Sequence, residues 1–352
     1  MSNLVLMKGN EAISEAAIMC GCRHYFGYPI TPQNEISEYM AKRMPQVGGF
    51  SMQAESEIAA INMVLGASAA GARALTSSSS PGISLKTEGI SYIVGSDLPC
   101  VVVNVQRGGP GLGGILPAQS DYYQATKALG HGDMRIIVLA PSSVQEMLEL
   151  TGLAFELADL YRTPAMLLAD GALGQMMEPV DLDRLKPAPP PEKPWAAVGH
   201  KNERAPNIIN SLYIEAPELE RLIMERYATK YAAIEEKEQR YEEIEAENAD
   251  VVVVSYGIAA RVAKAAVELC KKQGIKAGYF RPITLSPFPK KRLGELASTA
   301  KRFLVTELNM GQMVDDVKLA TECKRPVDFF GRTGGIISTP EEICEAVKNV
   351  LK

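Results

Sequence analysis

The feature that most constrains this chain is a set of short, almost unbroken apolar runs separated by amphipathic stretches. Residues 98–105 (LPCVVVNV) and 251–255 (VVVVS) show no alternation of polar and apolar positions. A strand built from such a run must be covered on both faces, which is the condition of a parallel sheet flanked by helices. Residues 135–140 and 163–169 repeat the pattern in the first half, beside shorter strands at 25–27 and 74–76. Residues 276–280, 303–306 and 327–330 repeat it in the second half. Between these runs the apolar period becomes that of a helix. Residues 9–20 (GNEAISEAAIMC) are one such stretch. Residues 55–70 are another, with Ile58, Ile61, Val64 and Leu65 on one face and a run of small residues from Gly66 to Ala70 that allows close approach by a neighbour. Pro141, Ser142 and Ser143 cap a third helix running through Leu157, and residues 259–273 form a fourth. Strand–helix alternation on this rhythm predicts an α/β protein with parallel sheets.

Residues 186–194 (KPAPPPEKP) suit neither a helix nor a central strand and read as a semi-rigid extended connection. A charged stretch over about 215–248, containing EEKEQRYEEIEAEN, follows it and reads as a solvated helical face. The expected organisation is therefore a first parallel-sheet domain over 1–185, a Pro-rich linker and charged helical segment over 186–248, and a second α/β domain over 249–352. A chain of 352 residues has enough length for two such cores. The net charge of −5, with Lys and Arg scattered, excludes the concentrated basic face that nucleic acid requires. No apolar run approaches the ~18–20 residues of a membrane span, and MSNLVLMKGN lacks the charged start and long apolar stretch of a signal peptide. A cytoplasmic protein is expected. Six cysteines (Cys20, Cys22, Cys100, Cys270, Cys323, Cys344) are dispersed without a CxxC pair, which argues against an iron–sulfur cluster held by this chain. His24, His131 and His200 are isolated, which argues against zinc.

Four local features carry chemistry. Tyr28-Pro29-Ile30-Thr31-Pro32 is a stiff turn around one hydroxyl, at the end of a strand, where open α/β sheets place ligands. Glu57 opens an otherwise apolar helix, where the macrodipole also favours a carboxylate, Glu55 or Glu57, as a simple cap. Thr76-Ser77-Ser78-Ser79-Ser80-Pro81-Gly82 puts hydroxyls and free N–H groups ahead of a helix, without the GxxxxGK[ST] of a phosphate-binding loop. Arg107 to Gly114 (RGGPGLGG) follows a buried strand and offers a forked cation inside a loop rich in glycine, although a structural ion pair would also explain the arginine. Each feature alone also reads as an ordinary turn, cap or loop. Together they describe an anion-binding mouth on a parallel sheet, and they do not name a reaction.

With these residues in hand, the sequence resembles the alpha-type subunit of 2-oxoacid:ferredoxin oxidoreductases over nearly its whole length. The stretches that carry the likeness are GYPITP (27–32), QAESEIAAINMVLGASAAG (53–71), TSSSSPGISLKTEGISY (76–92), NVQRGGPG (104–111), Asp170-Gly171, YFRPITLSPFP (279–289) and TELNMGQ (306–312). Within the family it is most similar to subunits acting on 2-oxoisovalerate and other branched-chain 2-oxoacids. The resemblance implies a pyrimidine-type thiamine-diphosphate-binding domain followed by a domain like the transketolase C-terminal one. It implies Glu57, nine residues before Gly66-Ala67, as the catalytic carboxylate that activates the cofactor's aminopyrimidine, with Glu55 as the alternative. A buried carboxylate beside the ring would tune a base for neutral pH. It implies Thr31 and Arg107 as ligands of the substrate carboxylate, and Tyr28, Pro29, Ile30, Glu57, Ser79 and Ser80 around the cofactor.

The GDG…N diphosphate–metal motif of the family is absent, since Asp170-Gly171 lacks the preceding glycine. The resemblance therefore implies a beta-type partner supplying the diphosphate site with its Mg²⁺. It also implies gamma-type and ferredoxin-like subunits, or fused equivalents, with [4Fe–4S] clusters, and coenzyme A and ferredoxin as co-reactants. The chain alone should be inactive. Relatives that use 2-oxoglutarate tend to have Ser-Thr-Gly where this chain has Gly111-Leu112-Gly113, so an apolar substrate side chain near Leu112 is expected. The same chemistry on 2-oxoglutarate or pyruvate, a lipoyl-linked dehydrogenase subunit of the same scaffold, and a non-catalytic assembly subunit are the alternatives.

Overall fold

The structure, a computed structural model, describes residues 4–352; the first three residues of the MSNLVLMKGN stretch lie outside it. The first half supplies β1 (Leu4–Lys8), β2 (His24–Gly27), β3 (Phe50–Gln53), β4 (Ala74–Ser78), β5 (Val101–Gln106), β6 (Ile137–Leu139), β7 (Ala165–Asp170) and β8 (Met177–Asp181). The second supplies β9 (Tyr241–Ile244), β10 (Val251–Val254), β11 (Ala277–Pro282), β12 (Thr284–Ser286), β13 (Phe303–Glu307) and β14 (Val327–Gly331). They form a seven-stranded sheet in the order β12-β6-β7-β5-β4-β2-β3, a five-stranded sheet β14-β13-β10-β11-β9, and a ribbon of β1 with β8.

Strand β5 shows why the apolar runs have no polar face. Val101, Val103 and Val105 enter one core with the helices Gly9–Met19 and Val144–Tyr161, while Val102 enters the other. That second core is covered by the helices Glu57–Ala69 and Ser80–Gly95. These two helices approach closely at Gly89, where a Cβ would stand 2.5 Å from Ile61 Cγ2. The approach expected at Gly66 does not occur within this chain, since a Cβ there would meet nothing within 4 Å.

The charged stretch departs from its helical expectation. Helices Ala216–Arg226 and Ala232–Lys237 flank a π-turn at Tyr227–Tyr231, but Tyr241–Ile244 is an edge strand antiparallel to β11. Its glutamates are ion-paired within the fold and are not a solvated helix face: Glu242 pairs across the strands with Arg281 at 3.0 Å, and Glu243 with Arg292 on the helix Lys290–Thr299 at 2.8 Å. Tyr241 stacks on Phe280 with centroids 5.2 Å apart. Composition hid this strand because its stabilising partners lie far along the chain, while charges on an edge also discourage unwanted pairing. The Pro-rich stretch has no regular structure, and just beyond it Ala197 N–H donates to the Ala69 carbonyl at 2.8 Å and Arg162 covers the Trp195 ring at 4.5 Å.

The two large sheets are coupled through polar groups at the carboxyl ends of their strands. Asp170, the last residue of β7, accepts from the N–H groups of Ala172 (3.0 Å) and Leu173 (3.1 Å), and from Ile258 (3.2 Å) on the helix Gly257–Lys272. Gln119 donates to the Tyr256 carbonyl at 2.7 Å and accepts from Leu308 N–H at 3.0 Å. Strand β12 leaves the second half altogether and pairs antiparallel with β6.

Burial raises the Asp170 carboxyl from its ordinary 3.8 to about 6, against the pull of its three N–H donors. A carboxyl with a raised folded-state pKa favours folding while protonated. The stability linked to it is complete below pH about 4 and lost as pH rises through about 6, a change of roughly 3 kcal/mol. In Asp170→Asn the melting temperature relative to the parent chain should therefore move in the variant's favour between pH 4 and pH 7. Calorimetry at both pH values checks the slope.

Candidate active site

Strand β2 ends at Gly27 and releases the chain into the proline turn. Tyr28 and Pro29 are exposed, whereas Ile30 and Thr31 are half-buried. Gln33, fully buried, anchors this turn: its Nε2 donates to the Tyr28 carbonyl at 3.2 Å, and its Oε1 accepts from Ser77 Oγ at 2.5 Å. The Thr31 hydroxyl has a single weak partner, Asn34 Nδ2 at 3.5 Å.

Arg107 follows β5 and is buried. One guanidinium nitrogen donates to the Thr31 carbonyl at 3.0 Å and another to the Leu112 carbonyl at 3.2 Å, while Nε has no partner. Arg107 is in no ion pair among the described residues. A structural ion pair is thereby excluded among the described residues. A buried cation held only by neutral carbonyls is costly unless an anion joins it, so this position suits a carboxylate ligand. Ser80 fixes the arginine's backbone, accepting from Arg107 N–H at 3.1 Å while its hydroxyl reaches Asp121 Oδ2 at 2.6 Å. Asp121 is in turn bound by Asn104 Nδ2 at 2.9 Å, and burial pushes its carboxyl up.

The glycine loop closes on itself. Gly108 N–H donates to Leu116 O and Gly114 N–H to Gly108 O, each at 3.0 Å. Gly113 has φ +59° with its α-carbon against the Gly108 carbonyl, a place no side chain can take. Leu112 is 86% exposed, so within this chain it forms no pocket wall and contributes its carbonyl instead. The apolar residues beside Thr31 are Ile115 and Leu116, which line an open cleft of about 490 Å³ with Pro32, Pro117 and Ala172.

Glu57 is the first residue of its helix and only 5% exposed, whereas Glu55 is exposed. The cap is Ser56, whose Oγ accepts from Ala59 N–H at 3.2 Å, so neither glutamate is needed for it. No described residue donates a hydrogen bond to the Glu57 carboxylate. It lies against Gly82, where an added Cβ would come 2.5 Å from Oε1 and collide with Ser78 Oγ. The hydroxyls of Ser78 and Ser79 are buried without partners. Sequence reasoning missed Gln33, Asn104, Asp121 and Lys86. The signal for Lys86 was legible, since it is the one charged residue on the buried face of its helix, among Gly82, Ile83, Gly89 and Ile90.

Residues 15–252 match the family model described as pyruvate flavodoxin/ferredoxin oxidoreductase, thiamine-diphosphate-binding, and residues 249–343 match core domain II of pyruvate:ferredoxin oxidoreductase. The chain belongs to this oxidoreductase family. It is 48% identical over 345 residues to the ketoisovalerate oxidoreductase subunit VorB of Methanothermobacter marburgensis, covering 98% of this chain and 97% of that one. It is 37% identical to the 2-oxoglutarate synthase subunit KorA of Methanocaldococcus jannaschii, covering 97% and 98%. Among solved structures, 2-oxoglutarate:ferredoxin oxidoreductase from Magnetococcus marinus, bound to 2-oxoglutarate, coenzyme A and succinyl-CoA, superposes with a TM-score of 0.89 at 27% identity. The match covers 100% of this chain and spans 66% of that one. A split-gene transketolase shares the fold at TM-score 0.59 and 14% identity, over 97% of this chain and 96% of that one. The chain is thus a subunit type of a thiamine-diphosphate-dependent 2-oxoacid oxidoreductase, and the α/β class read from the apolar runs holds. No helix among the described residues is long and apolar enough to cross a membrane.

The residues present fit the cofactor of that family. A buried carboxylate with free oxygens suits a ring nitrogen, and two unpartnered buried hydroxyls suit further polar atoms. Gly82→Ala tests the fit. The variant should keep its helical circular dichroism, because alanine favours a helix, yet lose thiamine diphosphate affinity by tenfold or more in calorimetric titration of the assembled enzyme.

Proposed function

We propose that this chain supplies the activating and substrate-holding half of a branched-chain 2-oxoacid:ferredoxin oxidoreductase. The overall reaction converts 2-oxoisovalerate or a similar 2-oxoacid and coenzyme A to acyl-CoA and CO2, and passes two electrons singly to ferredoxin. The observation that carries the reading is the buried Arg107 guanidinium without an anion, seated on Thr31.

In this reading Arg107 binds the substrate carboxylate through a charge-assisted hydrogen bond, and the Thr31 hydroxyl, nearly free, gives it a second. Glu57 holds the aminopyrimidine by accepting at its ring nitrogen and keeps the proton there. Ser79 and the backbone of Tyr28, Pro29 and Ile30 contact the same cofactor, while Ser80 orients Arg107 from behind. When bound, thiamine diphosphate supplies the carbon nucleophile for the 2-oxo group. A beta-type partner contributes the diphosphate site with Mg²⁺. Gamma-type and ferredoxin-like partners, or fused equivalents, contribute the [4Fe–4S] clusters. The branched-chain preference is supported by the higher identity to the ketoisovalerate subunit than to the 2-oxoglutarate one, and by Ile115 and Leu116 beside Thr31. The same reading treats residues 1–185 and 249–352 as the two domains, joined by 186–248.

Purified with its partners, the enzyme should reduce benzyl viologen with coenzyme A fastest on 2-oxoisovalerate; equal rates on 2-oxoglutarate would remove the branched-chain assignment. Glu57→Gln should lower turnover by about 10²–10⁴, as for loss of an acid–base group, and unchanged turnover would turn the chain into a scaffold. Arg107→Gln should chiefly raise the KM for the 2-oxoacid, with coenzyme A saturation unaltered, in the same assay.

A further inference from the structure

One buried cation takes no part in the chemistry above. Lys86 lies four residues after Gly82 on the helix Ser80–Gly95, one turn along the same face, and its side chain is fully buried. Its ammonium donates to Thr76 Oγ1 at 2.6 Å and to the Ser77 carbonyl at 2.9 Å, both on β4. Neither partner is charged. The titratable groups that act on it are Glu57, from the facing helix, and Cys100, just before β5. Burial pushes the Cys100 thiol up to about 12, so it stays neutral. Glu57 is therefore the one carboxylate that answers this ammonium.

Glu57 is buried, receives no hydrogen bond from a described residue, and lies against Gly82, one turn before Lys86 on the same buried face. A buried apolar side chain would fill the space of Lys86 without the cost of burying an ammonium, so packing alone does not account for a lysine here.

We propose that Lys86 is a positioning residue for Glu57, its tethered ammonium being the buried counter-charge that favours the carboxylate's place over Gly82 with its oxygens free for the aminopyrimidine. The inference rests on the assignment of Glu57 made above. Thr76 and Ser77 hold the ammonium on β4, outside ion-pair contact with the carboxylate, so that it acts on Glu57 by charge and not by a hydrogen bond. Burial brings Lys86 down to about 7. Its charge is present below that pH and lost above it, and the help it gives Glu57 follows the same course.

The test is titration calorimetry of thiamine diphosphate with Mg²⁺ into the assembled, cofactor-free enzyme between pH 6 and pH 8.5, with thermal unfolding run beside it. Lys86→Met should fold, bind about tenfold more weakly than the parent at pH 6, and approach it by pH 8.5, tenfold being one pK unit. In a Glu57→Gln background the same substitution should change nothing further. Equal affinity at pH 6, or a deficit that does not vary with pH, would overturn the inference and leave Lys86 a structural tether. If Lys86→Met does not fold, Thr76→Val takes its place: removing the acceptor hydroxyl should move the midpoint of the pH dependence downward, and an unmoved midpoint overturns the proposal. A parent enzyme that binds no thiamine diphosphate at any pH would overturn the assignment of Glu57, and this inference with it.

Discussion

The guanidinium of Arg107 is held in the interior by carbonyl oxygens alone, and much of the surrounding architecture exists to keep it there. Strand β5 ends at Gln106, and the chain turns at Arg107 into the glycine loop. Ser80 ties the arginine's backbone to the start of the next helix over, and Asp121 and Asn104 hold Ser80 in turn. The glycine loop folds back so that the Leu112 carbonyl can reach the guanidinium, a path that only glycine permits at position 113. Burying a charge among carbonyl dipoles with no counter-ion leaves an uncompensated positive charge beside the Thr31 turn, the arrangement on which the proposed anion site rests.

A second polar layer lies where the two large sheets meet. Glu307, at the end of β13, accepts from the N–H groups of Gln312, Met313 and Val314 and from Asn309, whose amide also donates to the Gln119 carbonyl. Tyr122 on the first half donates to Asp316 on the second at 2.5 Å. These contacts are satisfied almost completely within the chain, in contrast to Ser78, Ser79 and Arg107 Nε.

How much of this was legible in the sequence depended on whether each signal was local. Runs such as VVVNV and VVVV declared central parallel strands because burial on both faces leaves no polar positions. The Ser143 cap could be read from three residues, and it caps as expected, accepting from Glu146 N–H. Strands β3, β9 and β12 could not be read, since they are short edges whose residues are chosen by cross-strand partners. For β9 the partners are Arg281 across the sheet and Arg292 on a neighbouring helix, roughly forty to fifty residues away along the chain. At the site, sequence drew attention to Thr31, Glu57, Ser80 and Arg107, all of which the fold brings around the ends of β2, β4 and β5. It could not say that Leu112 would stand almost fully exposed while Ile115 and Leu116 line the cleft beside Thr31. That choice belongs to loop closure, through Gly108 and Gly114, and not to side-chain type.

Strand β12 gives the molecule a mechanical character. It is drawn from the second half of the chain yet stitched into the first sheet, against β6, while the Ile258 amide is pinned to Asp170 a short way off. Swinging the two sheets apart would tear a strand pairing and strip a buried carboxylate of a donor at the same moment. The seam between the sheets is thus fastened by backbone pairing as well as by side chains, and opening it would cost both at once.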